Sequence, residues 1–358
     1  MRAALLLAAA LLLPAPDVSP SVRRAKAFAD AVRAVNERHA EKPGKAKEDD
    51  LAALLPKEAR KALDSLLAEK DSPDLAPALL VAAGGALDLD LEEEFGRIRE
   101  RLEKAAPAEA AKAGFLVSRP RFLALGRDGV TREYLEDFAG IVEGILGGYD
   151  EVFGFEEWSK VPGKKLRFLV HQVPRITRPP HFAPEFEFHS QVDFPVPPEE
   201  RITSPTPQGQ FLFYGLCHEL GHVIAMMDRG SVKVDHHQWA HYTGVAVVEH
   251  LAGRKPEPPW LDRMRDARWR SLTKERERLK DAKPGLDGED GVLKTLVSLH
   301  DTVGPRAIGE AINRLDREDE RERVNRVRYY DFKGIRKALL EVVKEPAKRK
   351  AVEEILKI

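Results

Sequence analysis

The segment Phe211-Leu-Phe-Tyr-Gly-Leu-Cys-His-Glu-Leu-Gly-His222 places three ionisable side chains in an otherwise apolar run. Leu212, Phe213, Leu216, Leu220, Val223 and Ile224 recur at helical spacing, which predicts a buried helix over about 208–227. Pro205 and Pro207 lie just ahead of it, and Asp228-Arg229-Gly230 closes it. A fold for this chain must therefore satisfy His218, Glu219 and His222 beside a core, where an unpartnered polar group costs roughly 1–3 kcal/mol. His218 and His222 are four apart and project from one helix face. Two imidazoles at that spacing can grip one Zn²⁺. Glu219, next to the first, is where a carboxylate can take a proton from a metal-activated water. Without a metal, the same pattern is a core helix whose histidines find ordinary hydrogen bonds.

The 358 residues are long for one domain and comfortable for two. Charged residues make up 33 % and the formal net charge is -1, so nothing points to nucleic acid or an anionic membrane surface. Met1-Arg2, an uncharged run Ala3–Leu13 and Pro14-Ala-Pro16 read as a secretory signal peptide over residues 1–20. That run is too short for a permanent anchor, so no membrane span is expected after cleavage. Cys217 is the single cysteine, which rules out an internal disulfide, and its helical setting reads as a small buried apolar residue. Export without disulfides points to a bacterial periplasmic or extracellular protein stabilised by its core.

The pattern along the chain is α+β and mostly helical. Residues 21–113 read as a helical N-terminal module, with helices Ser21–His39, Glu48–Lys70, Leu75–Ala83 and Leu91–Ala113 and breaks at Lys42-Pro-Gly44, Ser72-Pro73 and Gly84-Gly85. Composition shifts near residue 115, so a second domain is expected over 114–358, with a core at 115–255 and a helical part at 256–358. In it, Phe115–Leu125 reads as one strand with Pro120 at an edge or bulge. Thr131–Phe153 reads as a long amphipathic helix, and Leu166–Val173 and Glu185–Phe194 as strands. A second helix is expected at Asp235–Leu251, with Asp235 and Gln238 forming a capping box. From Pro259 onward the chain reads as mostly helical, with a loop at Lys283–Gly291. No Gly-x-Ser-x-Gly elbow and no Gly-rich phosphate loop occurs.

A catalytic zinc usually takes three protein ligands and keeps one position open. Candidates for the third lie in Asp235–His250, which holds His236, His237, His241, Glu249 and His250. Glu249 is twelve residues beyond His237, about 18 Å of helix rise, so both ends cannot reach one ion. His237 and His241 share a face. The spacing leaves His237, His241 and Glu249 open.

The order strand, long helix, edge strands, His-Glu-x-x-His helix and second ligand helix resembles gluzincin metallopeptidases, most closely the peptidase-MA-like group. That group carries Glu-Gly-x-Ala-x-Tyr at the start of the second helix, and its Glu is the third zinc ligand. The matching residues are His237-Gln238-Trp239-Ala240-His241-Tyr242, so His237 falls where the ligand Glu would be. Leu296–Asn313, with Val303-Gly304, resembles the helical segment that follows, and the likeness covers about residues 115–315. It implies a zincin-like domain, a metal site of His218, His222 and His237, and Glu219 as catalytic base. It further implies hydrolysis of a peptide or protein substrate. Three histidines instead of two and a Glu leave the site one charge more positive, compatible with hydrolysis or with an altered or lost activity. On this reading a sheet edge, Glu185–Phe194 or Leu166–Val173, pairs with an extended substrate. His189, Tyr242, Tyr329 and Tyr330 are candidate oxyanion donors and equally ordinary structural residues. Oligomeric state is not legible.

Overall fold

A computed structural model describes residues 18–41, 54–155, 165–183, 191–202, 204, 206–224, 226–227, 236–254, 260, 270–286, 288–317, 329–330 and 332–357. The leader proposed for residues 1–20 lies almost wholly outside them, as do His189 and Asp235. No helix among the described residues is long and apolar enough to cross a membrane.

Among the described residues the first five helices are α1 (Pro20–Glu41), α2 (Lys57–Leu67), α3 (Leu75–Asp88), α4 (Glu92–Ala105) and α5 (Pro107–Ala113). Their apolar stripes close one core, with Phe28, Val32, Leu63, Leu79, Phe95 and Ile98 buried. The expected break at Gly84-Gly85 does not occur, since α3 runs through both. A side chain on Gly85 would come within 3.1 Å of Ala29 Cα, so this glycine serves a close approach of α1 and α3. The single helix expected over Leu91–Ala113 is two, with Pro107 starting the second where a missing N–H costs nothing.

The expected strand Phe115–Leu125 is instead a hairpin of β1 (Phe115–Ser118) and β2 (Phe122–Arg127). Pro120 sits in the turn, where Arg119 and Phe122 exchange backbone hydrogen bonds of 2.9 and 3.3 Å. Its fixed φ suits the second position of such a turn. Helix α6 (Arg132–Val152), capped by Thr131, crosses over to β3 (Leu166–Gln172), which pairs parallel to β2. Strand β5 (Gln191–Val196) pairs parallel to β3, and the short β4 (His181–Ala183) pairs antiparallel to β5. The sheet order is β1-β2-β3-β5-β4.

This order corrects one expectation. Leu166–Gln172 is the central strand, hydrogen-bonded on both sides, and cannot accept a peptide along an edge. Of the strand expected at Glu185–Phe194, Gln191–Phe194 is strand and runs on to Val196, while residues 185–190 lie outside the described residues. Pro195 is tolerated there because β4 pairs only with Gln191–Asp193.

One sheet face presents Phe122, Phe168, Val170, Val192 and Phe194 to α6 and the helices beyond. On the other, the cross-strand pair Leu116 and Leu125 packs on the N-terminal helices. Ion pairs Lys165–Glu92 (2.6 Å) and Arg167–Asp90 rim that contact.

The remaining elements are α7 (Pro207–Ile224), β6 (Met226–Met227), α8 (His236–Gly253), α9 (Leu272–Arg278), α10 (Glu289–Val303), α11 (Pro305–Arg317), β7 (Tyr329–Tyr330), α12 (Phe332–Val342) and α13 (Pro346–Ile355). Buried residues from Val117 to Leu356 form one continuous core, so the C-terminal helices share it with the sheet. The molecule is thus mostly helical with a small mixed sheet.

Candidate metal centre

Helix α7 starts where Thr206 caps it, its hydroxyl accepting from Gly209 N at 3.0 Å, with Pro207 as first residue. Leu212, Phe213, Leu216, Cys217, Leu220 and Val223 are fully buried, as their spacing predicts. The helix is wrapped by core on most sides, and its polar residues occupy the remaining one.

Helix α8 lies directly against α7. A side chain on Gly221 would stand 2.7 Å from Ala240 Cα and 2.4 Å from Thr243 Oγ1; one on Gly244 would stand 3.3 Å from His218 N. Two glycines, one on each helix, therefore permit the close crossing. Behind it, the buried Tyr149 hydroxyl of α6 donates to Cys217 O at 2.7 Å and lies 3.4 Å from Thr243 Oγ1, tying three helices together.

The crossing carries His237, on the first turn of α8, to the histidines of α7. Ligand atoms of His218, His222 and His237 all lie within 4.8 Å of one another. His218 Nε2 and His222 Nε2 are 3.1 Å apart. Nitrogens on a tetrahedral zinc at 2.0–2.1 Å would be about 3.3 Å apart, so this pair is already close to ligating separation. The His222 ring stands at 85° to both neighbours, and those of His218 and His237 are nearly parallel. Three imidazoles with converging nitrogens suit a divalent cation of borderline softness such as zinc.

Burial is graded across the cluster: His222 is 4 % exposed, His218 is intermediate and His237 is exposed. Glu219, one residue after the first histidine, is 8 % exposed. A buried carboxylate thus follows the first histidine of a cluster that opens to solvent on the α8 side.

The other candidates for the third ligand go elsewhere. His241 Nε2 is 3.0 Å from Glu275 Oε1, and its Nδ1 meets the Tyr214 hydroxyl. Glu249 accepts from Thr273 N at 2.7 Å and pairs with Arg276. His250 pairs with Glu151 at 2.7 Å. Among the described residues only His237 joins His218 and His222.

Tyr242 is fully buried with its hydroxyl 3.0 Å from His300 Nδ1, which makes it a core residue and not an oxyanion donor. Burial raises its hydroxyl well above the ordinary tyrosine range. Tyr329 and Tyr330 form β7, whose backbone pairs with β6 just after the motif helix. Burial likewise pushes up the Cys217 thiol, in keeping with a small core residue.

Two residues at the centre were not singled out from sequence. Tyr214 lies four residues before His218, so its place on the same face was legible from spacing alone. Glu275 arrives on a separate helix, α9, and no local pattern announces it.

Compared with known proteins, the chain matches no family model, no curated protein and no solved structure.

Proposed function

We propose that this chain is an exported zinc-dependent peptidase of the gluzincin kind, with His218, His222 and His237 as ligands and Glu219 as general base. The observation that carries the reading is the convergence of three imidazoles, the first of them followed in the chain by the buried Glu219. Three nitrogen donors leave one position of a tetrahedral ion open, the pattern of catalytic zinc and not of structural zinc. Bound zinc would acidify a water and polarise a carbonyl. In this role the Glu219 carboxylate takes a proton from the attacking water and returns it to the leaving amine. His237, at the exposed end, leaves an approach for an extended peptide. The sequence of hairpin, long helix, sheet, motif helix and second ligand helix supports a zincin-like domain. The export assignment rests on the leader residues.

One observation favours a second reading, a zinc-binding envelope protein without turnover: His237 stands where the resembling group has a glutamate. Zinc stoichiometry and a mixed-peptide cleavage profile, on protein purified without a polyhistidine tag, separate the two. Glu219→Gln should keep its zinc and lose cleavage. Unchanged turnover in that variant defeats the general-base role, and stoichiometric zinc with an inert wild type favours the second reading.

A further inference from the structure

From His218 a file of hydrogen-bonding groups leads away from the metal site. The Tyr214 hydroxyl lies 3.4 Å from His218 Nδ1, a long contact, and closer to His241 Nδ1. His241 Nε2 lies 3.0 Å from Glu275 Oε1, and Glu275 Oε2 accepts from Arg278 Nε at 2.8 Å. His241 and Glu275 are 14 % and 12 % exposed in their side chains, so these contacts are largely shielded from solvent. The Arg270 guanidinium lies 4.3 Å over the Tyr214 ring and also hydrogen-bonds its hydroxyl. The file thus uses α7, α8 and α9, and it ends in a cleft of about 490 Å³ lined in part by Gln238, His241, Lys274 and Glu275.

Proton counting gives the file one direction. The Tyr214 hydroxyl has a single proton to donate, and its nearer partner is His241 Nδ1. Burial alone would raise Glu275, but its hydrogen bonds to His241 and Arg278 outweigh that and hold it at about 2. An ionised carboxylate only accepts, so His241 must present Nε2–H to it. In that Nε2–H tautomer His241 offers a lone pair at Nδ1, which accepts the tyrosine hydrogen bond. The tyrosine oxygen is left to accept, from the Arg270 guanidinium and from His218 Nδ1, the ring nitrogen turned away from the cluster, since His218 Nε2 faces His222 Nε2 at 3.1 Å.

We propose that Tyr214, His241 and Glu275 are positioning residues that hold His218 in its Nδ1–H tautomer and so turn the Nε2 lone pair toward the cation. The proposal rests on the metal reading above and extends it to residues that do not touch the ion. Groups that orient a ligand histidine in this manner are worth about 10–100-fold in metal affinity. The order of the links matters: Tyr214 is the only one that touches His218, so Glu275 acts only through His241 and Tyr214.

The test measures zinc dissociation constants by chelator competition for the full chain and for Tyr214→Phe, Glu275→Ala and the double variant. Each single variant should weaken zinc about 10–100-fold, and the double should be no weaker than the weaker single, because one broken link silences the other. In the metal-free protein, nitrogen NMR of the His218 ring should show Nδ1–H in the wild type and a loss of that bias in Tyr214→Phe. Should Glu275→Ala not fold, Glu275→Gln, which keeps an acceptor oxygen, should bind zinc more tightly than Tyr214→Phe. Single variants within twofold of wild type, or effects that multiply in the double, would overturn the assignment. A wild type that takes up no zinc would instead remove the metal site itself, and the role given to the file with it.

Discussion

Gly221→Ala is the sharpest test of how the centre is assembled. The added Cβ would stand 2.7 Å from Ala240 Cα and 3.0 Å from Ala240 O, both backbone atoms that no rotamer change can move. Non-bonded carbons rest at about 3.5–4.0 Å, so the helices must separate by about 1 Å. Ala240 lies three residues after His237, so that shift travels directly to the third imidazole. Metal–ligand distances tolerate only about 0.2 Å. Overpacking of this kind costs about 1–3 kcal/mol, and removing a mid-helix glycine returns about 0.5–1 kcal/mol. The net is a loss of about 0–2.5 kcal/mol, which leaves the chain folded. Zinc affinity should fall at least about tenfold, or about 1.4 kcal/mol. Chemical denaturation of the metal-free protein gives the first quantity and chelator competition the second. Gly84→Ala is the control: nothing lies within 4 Å of its added Cβ, so it should stabilise by about 0.5–1 kcal/mol and leave zinc alone. If Gly221→Ala binds zinc like the wild type, the glycine crossing does not set the position of His237 and the reasoning is wrong.

Three further outcomes follow from the geometry. His237→Ala should lower zinc occupancy and Glu249→Ala should not, because Glu249 is engaged with Thr273 and Arg276; elemental analysis of both decides it. Tyr149→Phe removes a buried hydroxyl that ties α6 to α7 and should cost about 1 kcal/mol in urea unfolding, with zinc affinity little changed. The hydrogen bond to Asp193 at 2.6 Å raises His171, so their attraction is fully present below the ordinary histidine value and is lost as pH rises through the raised one. With both side chains about a quarter exposed, the effect is under about 1 kcal/mol. The stability gap between wild type and Asp193→Asn should therefore narrow between pH 6 and 9, and a widening gap would contradict the sign.

What was legible in the sequence was what periodicity and spacing encode locally. Apolar residues at helical intervals gave α7 nearly to its ends, and the i, i+4 rule put His218 and His222 on one face. The choice among His237, His241 and Glu249 needed the crossing of α7 and α8. That crossing depends on Gly221 and Gly244, and a glycine in sequence signals a break as readily as a contact. The same ambiguity misread Gly84-Gly85. Pro120 was read as an edge or bulge within a single strand; its role as a turn residue depends on β1 folding back on β2. The rank of Leu166–Gln172 within the sheet is likewise a tertiary fact: a strand with one face buried and the other half-buried reads much the same at an edge as in the middle.

The gradient from buried His222 to exposed His237 has a consequence for loading. His218 and His222 belong to one rigid turn of helix and wait as a preassembled pincer, whereas His237 stands at the mouth on a different helix. A cation arriving from outside would meet His237 first, yet could settle only after seating against the inner two. Departure would retrace that path, with the outermost imidazole letting go at the start. The lifetime of the bound ion would then be governed at this doorway residue.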